Sequence, residues 1–155
     1  MRLASGGGGQ GQGGSGELFV WDVRSGAHSA ERLQALSGHT GIVFAVAWSE
    51  LGDLLVSGGS DGMLRWWDVQ SGECVKMRQG HPGGVQSLRV SPDGRRLSSC
   101  GDDGAITLWD LESGEYVRTL RRDRPYERLD ITGIRGLTQA QKAQLRTLGA
   151  VENRS

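Results

Sequence analysis

The chain has 155 residues, enough for one domain with a sizeable core, and its 18 Lys and Arg balance its 18 Asp and Glu. Net charge therefore argues for neither nucleic acid nor membrane as a partner, although residues 1–120 hold 10 basic and 14 acidic side chains and residues 121–155 hold 8 and 4. No apolar run approaches the roughly 18 residues of a membrane span, and Met1 is followed by no apolar signal region. Cys74 and Cys100 share no metal-ligand spacing with each other or with His28, His39 and His81. A cytoplasmic chain with reduced thiols, no metal and no cofactor is expected.

In chain order, the first predicted strands are "RLASGG" (2–7) and "ELFVW" (17–21), joined by the Gly-rich "GGGGQGQGGSG" (6–16). That connection contains Gly9-x-Gly11-x-x-Gly14, the letters of a dinucleotide fingerprint. The fingerprint needs a helix N-terminus to meet phosphate, and a strand pattern follows here, so a hairpin insertion is expected instead. "AHSAERLQAL" (27–36) carries a second, smaller insertion. From residue 39 the pattern becomes regular. "VFAVAW", "LLVSG", "MLRWW" and "CVKMR" are closed by the turn signals "ELGD", "SDG" and "QSGE". They return as "VQSLRV", "RLSSC", "AITLW" and "YVRTL", separated by "SPDG", "DDG" and "ESGE". The offset is 42 residues at every marker: Gly38-His39 with Gly80-His81, Ser57 with Ser99, Asp61 with Asp103, Trp67-Asp68 with Trp109-Asp110. Asp22, Asp68 and Asp110 each precede a Ser-Gly turn and are expected to hold turn N–H groups. Trp66 is expected to fill space between sheets.

These markers resemble the WD40 repeat, so the expected fold is all-β, built of β-propeller blades. A partial blade spans 2–38, full four-stranded blades span 39–79 and 81–121, and residues 122–155 form a tail. The partial copy aligns Ser5 with Ser57 but has no turn Asp and no Gly-His. Propellers usually close with about 4–8 blades, so an incomplete propeller is expected, the C-terminal piece of a longer parent chain that supplies the missing blades. The resemblance implies a buried hydrogen-bonded chain in each full blade: His39, Ser57, Asp61 and Trp67 in one, His81, Ser99, Asp103 and Trp109 in the next. A Ser/His/Asp set also invites a hydrolase reading. A set that occurs twice at one spacing, each time with a Trp N–H to satisfy, fits a structural network better.

In the tail, Thr138 with Gln141 makes a capping box, a helix is predicted over about 139–148, and Gly149 ends it. Leu145 and Leu148 offer an apolar stripe too small to fold alone. The stretch "RPYERLDITGIRGLTQAQKAQLRTLGAVE" is similar to the closing segment of large bacterial multidomain proteins whose WD40 arrays follow a signalling NTPase or regulatory domain. The WD40 resemblance implies a non-catalytic scaffold whose partner is a protein or peptide, with neither nucleic acid nor membrane bound. The contact residues that this family's pattern implies are Phe44, Ser60, Gln86 and Asp102. Simple core packing within "IVFAVAW" is the competing reading of Phe44. Two other functions stay open: a regulatory piece of an NTPase or kinase whose catalytic domain lies upstream, and a gene fragment without function. No Gly-Lys-Ser/Thr phosphate loop occurs in this chain.

Overall fold

The computed structural model describes residues 2–8, 16–23, 30–121 and 129–152. Most of the Gly-rich connection, residues 24–29 with the Asp22 turn, and the "RDRPYER" stretch (122–128) lie outside them. Two compact units divide the chain, 1–120 and 121–155.

Among the described residues, the first unit holds three antiparallel sheets. β1 (Arg2–Gly8), β2 (Gly16–Val23) and β3 (Ala30–Ser37) form the first. β4 (Val43–Trp48), β5 (Leu54–Gly59), β6 (Met63–Asp68) and β7 (Cys74–Gln79) form the second. β8 (Val85–Val90), β9 (Arg96–Gly101), β10 (Ala105–Asp110) and β11 (Tyr116–Arg121) form the third. In all three the strands lie in chain order, as hairpin connections dictate. The turns follow from their residues. Asp68 Oδ1 accepts from the N–H of Ser71 at 2.7 Å and of Gln70 at 2.9 Å, and Asp110 Oδ1 accepts from the Ser113 N–H at 3.0 Å. Each turn ends in the left-handed region at Gly72 (φ +77°) or Gly114 (φ +67°), where a side chain would strain the backbone.

The core lies between sheets, in two layers. Leu18, Val20, Leu36, Leu55, Trp67 and Val69 fill the space between the first and second sheets. Val56, Leu64, Trp66, Val85, Leu88, Leu97, Trp109 and Leu111 fill the space between the second and third. Strand alternation sends the adjacent Trp66 and Trp67 into opposite layers. Trp66 is fully buried, donates its N–H to Leu111 O at 2.9 Å and meets Trp109 edge-on with ring centroids 6.4 Å apart. It is a spacer with a polar tether.

The third sheet repeats the frame but changes its far face. Where the second sheet packs Ala45, Ala47, Leu54, Val56 and Trp66 against the third, the third carries Ser87, Arg89, Arg96, Ser98 and Leu108, each exposed or half-buried. Arg96 there pairs with Asp110 at 3.0 Å.

In the second unit, α1 (Gln139–Thr147) starts at the Thr138–Gln141 capping box, and Gly149 follows at φ +106°. The chain returns on itself in a parallel bridge between Asp130 and Val151, with Ile131 and Ala150 buried. Glu152 takes Lys142 Nζ at 2.9 Å and also pairs with Arg146, clamping the segment after the helix to it. Among the described residues, no helix is long and apolar enough to cross a membrane.

Candidate interaction rim and buried hydrogen-bond chains

Each full sheet carries a four-residue chain running from an entry loop to the third strand. In the second sheet, Trp67 Nε1–H donates to Ser57 Oγ at 2.8 Å, and His39 Nε2 meets the same oxygen at 2.7 Å. His39 Nδ1 lies 3.0 Å from Asp61 Oδ2, which also accepts from the Thr40 N–H at 3.1 Å. An ionised carboxylate only accepts, so Nδ1 carries the hydrogen that faces Asp61, and Nε2 of the neutral ring accepts from the Ser57 hydroxyl while that oxygen accepts from the indole. The electrostatics agree with that arrangement. Burial pushes the His39 imidazole below its ordinary range, against the raising pull of Asp61 and with the Arg65 charge adding to the lowering. Burial raises the Asp61 carboxyl, but the His39 bond and charge and the Met63 and Thr40 N–H groups outweigh it and hold it below the usual range. A neutral imidazole donates to an ionised carboxylate.

The third sheet repeats the set. Trp109 Nε1–H reaches Ser99 Oγ at 3.0 Å, His81 Nε2 lies 2.9 Å from that oxygen, and His81 Nδ1 lies 2.8 Å from Asp103. Ser57 and Ser99 are both fully buried. Gly101 makes room for the ring, since a Cβ there would sit 2.3 Å from His81 Cγ. The first sheet has half a set: Trp21 Nε1–H donates to Ser5 Oγ at 2.8 Å, in an exposed setting.

The four rim residues, Phe44, Ser60, Gln86 and Asp102, are all exposed. Two are placed by a device the sequence reading missed. In the β4–β5 register, Val43 faces Gly59 and Ala45 faces Gly58, so Phe44 is an extra residue in a bulge. β8 does the same at Gln86, between Val85 and Ser87. A bulge breaks alternation and re-aims its side chain. Phe44 is 44% exposed, which removes the core-packing reading that alternation had supported. A Cβ on Gly84 would lie 3.2 Å from Phe44 Cε2 and 3.0 Å from Asp102 Oδ2, so ring and carboxylate flank one glycine. Asp102 is held by the Gly84 N–H at 2.8 Å and by Gln86 Nε2 at 2.7 Å. Ser60 and Phe44 occupy the same two places in the second sheet. Ile42, whose carbonyl accepts the Ser60 N–H at 2.8 Å, is 47% exposed and extends the apolar part of the rim. Its signal was an Ile just ahead of an alternating run. Among the described residues, no group of His, Cys, Asp and Glu is arranged to hold a metal ion.

The model of the family described as "WD domain, G-beta repeat" matches residues 30–68 and 72–110. The chain belongs to the WD40 family. The three sheets among the described residues are blades, the first of them three-stranded there. Relatives share part of this WD40 array. Eukaryotic translation initiation factor 3 subunit I of Mycosarcoma maydis is 41% identical over 49 residues, 32% of this chain and 14% of that protein. The subunit from Botryotinia fuckeliana is 38% identical over 50 residues, 32% and 15% of the two chains. The periodic tryptophan protein 2 homolog of Schizosaccharomyces pombe is 38% identical over 55 residues, 36% of this chain and 6% of that one. The matched segment thus spans a small part of each relative.

Proposed function

We propose that this WD40 chain is a non-catalytic scaffold module that binds a protein or peptide through the rim of Phe44, Ser60, Gln86 and Asp102. Phe44 carries the reading: a bulge turns an aromatic ring outward from a strand whose neighbours pack inward, beside a carboxylate held in place. Rigid aromatic anchors of this kind dominate binding energy at protein contacts. The fitting ligand offers an apolar side chain to Phe44 and Ile42 and a hydrogen-bond donor to Asp102. The name of the factor 3 relatives, a subunit, is in keeping with work done by contact.

The His39 and His81 chains are read as structural. Their Ser oxygens are fully buried and already bonded to a Trp N–H, so no substrate carbonyl reaches a nucleophile there. The wider setting is a larger cytoplasmic signalling or regulatory protein, with blades beyond these three supplied by the parent chain. The free thiols of Cys74 and Cys100 and the open face of the first blade support it. The narrower bacterial reading rests on the tail stretch alone, and the fungal relatives lend it nothing.

Peptide display against the full chain tests the rim. Selected ligands should lose affinity about tenfold or more, roughly 1.4 kcal/mol, on Phe44→Ala or Asp102→Ala, with thermal unfolding unchanged. Ligands indifferent to both substitutions would remove this rim from consideration.

A further inference from the structure

At the end of β4 away from Phe44, two turns meet around a second concavity. The β4–β5 turn (49–53) and the β8–β9 turn (91–95) share one geometry. Gly52 N–H donates to Ser49 O at 3.0 Å and Gly94 N–H to Ser91 O at 2.9 Å, with both glycines left-handed at φ +71° and +69°. In that frame Leu51 stands where the third blade has Asp93. Asp93 Oδ1 closes its turn by accepting from the Ser91 hydroxyl and the Arg95 N–H. Leu51 closes nothing, because Asp53 already accepts from the Ser49 hydroxyl at 2.6 Å. It is 89% exposed, more than any other large apolar side chain among the described residues, and turn chemistry gives no reason for a leucine there.

Leu51 borders a cavity of about 490 Å³ between the second and third blades, with Leu54 and Leu111 as its apolar wall. The remaining walls carry Glu50, Asp53, Asp68, Asp93 and Glu112, and neither Lys nor Arg. Among the described residues none of these five carboxylates forms an ion pair. Two cations close by are turned to main-chain oxygens instead, Arg2 to Gly52 O at 3.5 Å and Lys76 Nζ to Glu112 O at 2.7 Å. Glu50 reaches across to the third blade, where a Cβ on Gly94 would lie 3.1 Å from its Oε2. The Ser49 bond holds the Asp53 carboxyl below its usual range although burial and the Asp68 charge push it up, so like charges face each other across the cavity at neutral pH.

We propose that this cavity is a second docking site, separate from the rim, for a basic peptide segment of a partner protein. An Arg or Lys of that segment lays its stem against Leu54 and Leu111 and sets its charged head among the carboxylates, while a neighbouring aliphatic side chain covers Leu51. Long cationic side chains are apolar along the stem and charged at the tip, which matches an apolar wall under an acidic mouth. The exposed leucine gains burial only when something covers it. A second copy presenting the same face would set carboxylate against carboxylate, so charge favours a basic partner over self-association.

The probe is a displayed library of random peptides, selected on the full chain carrying Phe44→Ala so that rim ligands are left behind. Selected peptides should carry Arg or Lys beside Leu, Ile or Met, and should protect amides of residues 49–54 from hydrogen exchange. In fluorescence anisotropy, Leu51→Ser should weaken them about tenfold and Glu50→Gln about threefold, and affinity should fall as salt rises from about 50 to 300 mM. Leu51 makes no turn contact, so Leu51→Ser should leave the melting temperature unchanged. Glu115→Gln, outside the cavity, should leave binding unchanged. A loss there as large as that from Glu50→Gln would mean attraction to acidic surface at large, and overturns the site. An empty selection, selected peptides without a basic residue, and affinities indifferent to Leu51→Ser each overturn it too. A concentration-dependent dimer abolished by Leu51→Ser assigns the cavity to a second copy and also overturns the proposal. Because the rim is disabled throughout, none of these outcomes decides the reading of Phe44.

Discussion

A buried imidazole that stays neutral makes stability depend on pH. In the unfolded chain His39 titrates near 6.5 and Asp61 near 3.8, and both lie lower in the folded blade. The unfolded state therefore binds more protons in each range, and acid favours it. Stability is full above pH 6.5, falls as pH drops from there toward the lowered His39 value, and falls again as pH passes below 3.8 through the Asp61 value. The melting temperature should decline between pH 7 and pH 5. In His39→Gln that first decline should flatten while the steeper loss below pH 4 persists. An unchanged slope in the variant would mean that His39 is charged in the folded blade.

Between elements, coupling is concentrated in a few side chains that cross from one blade to the next. Trp66 leaves β6, fills the layer under the third blade and ends on the Leu111 carbonyl. Trp66→Ala removes that volume and strands a buried acceptor, a loss of about 3–5 kcal/mol. Leu108 holds the corresponding place on the far face of the third blade and is only half-buried. Leu108→Ala should be much milder. Urea unfolding of both variants measures the contrast, and equal losses would mean that position in the array does not matter.

For the array of blades as a whole, stability follows the interfaces. Among the described residues, the layer between the second and third blades buries eight apolar residues against six in the layer between the first and second, and the first blade has three strands against four in the others. In a stacked array each unit is held by its neighbours, so the end with the smaller interface opens first. Native-state hydrogen exchange should show amides of β1 to β3 exchanging before those of β5, β6, β9 and β10. Simultaneous exchange across all three blades would show one cooperative unit instead.

The sequence by itself determined the strands and their order within each sheet, while the members of the His39 and His81 chains came from the resemblance to the WD40 repeat. Turn residues and alternation act over a few positions, and an exact 42-residue repeat carries one blade's geometry into the next. Alternation left Phe44 open between rim and core, and only the pairing of β4 with β5 shows the bulge that turns it out, because a bulge depends on how two strands register. Tertiary structure likewise decided the two destinations of Trp66 and Trp67, since each layer is defined by the blade packed against it. The tail's return from Asp130 to Val151 was invisible for the same reason. Its bridge joins residues far apart in the chain, and nothing in the local pattern around Glu152 names Lys142 and Arg146 as its partners.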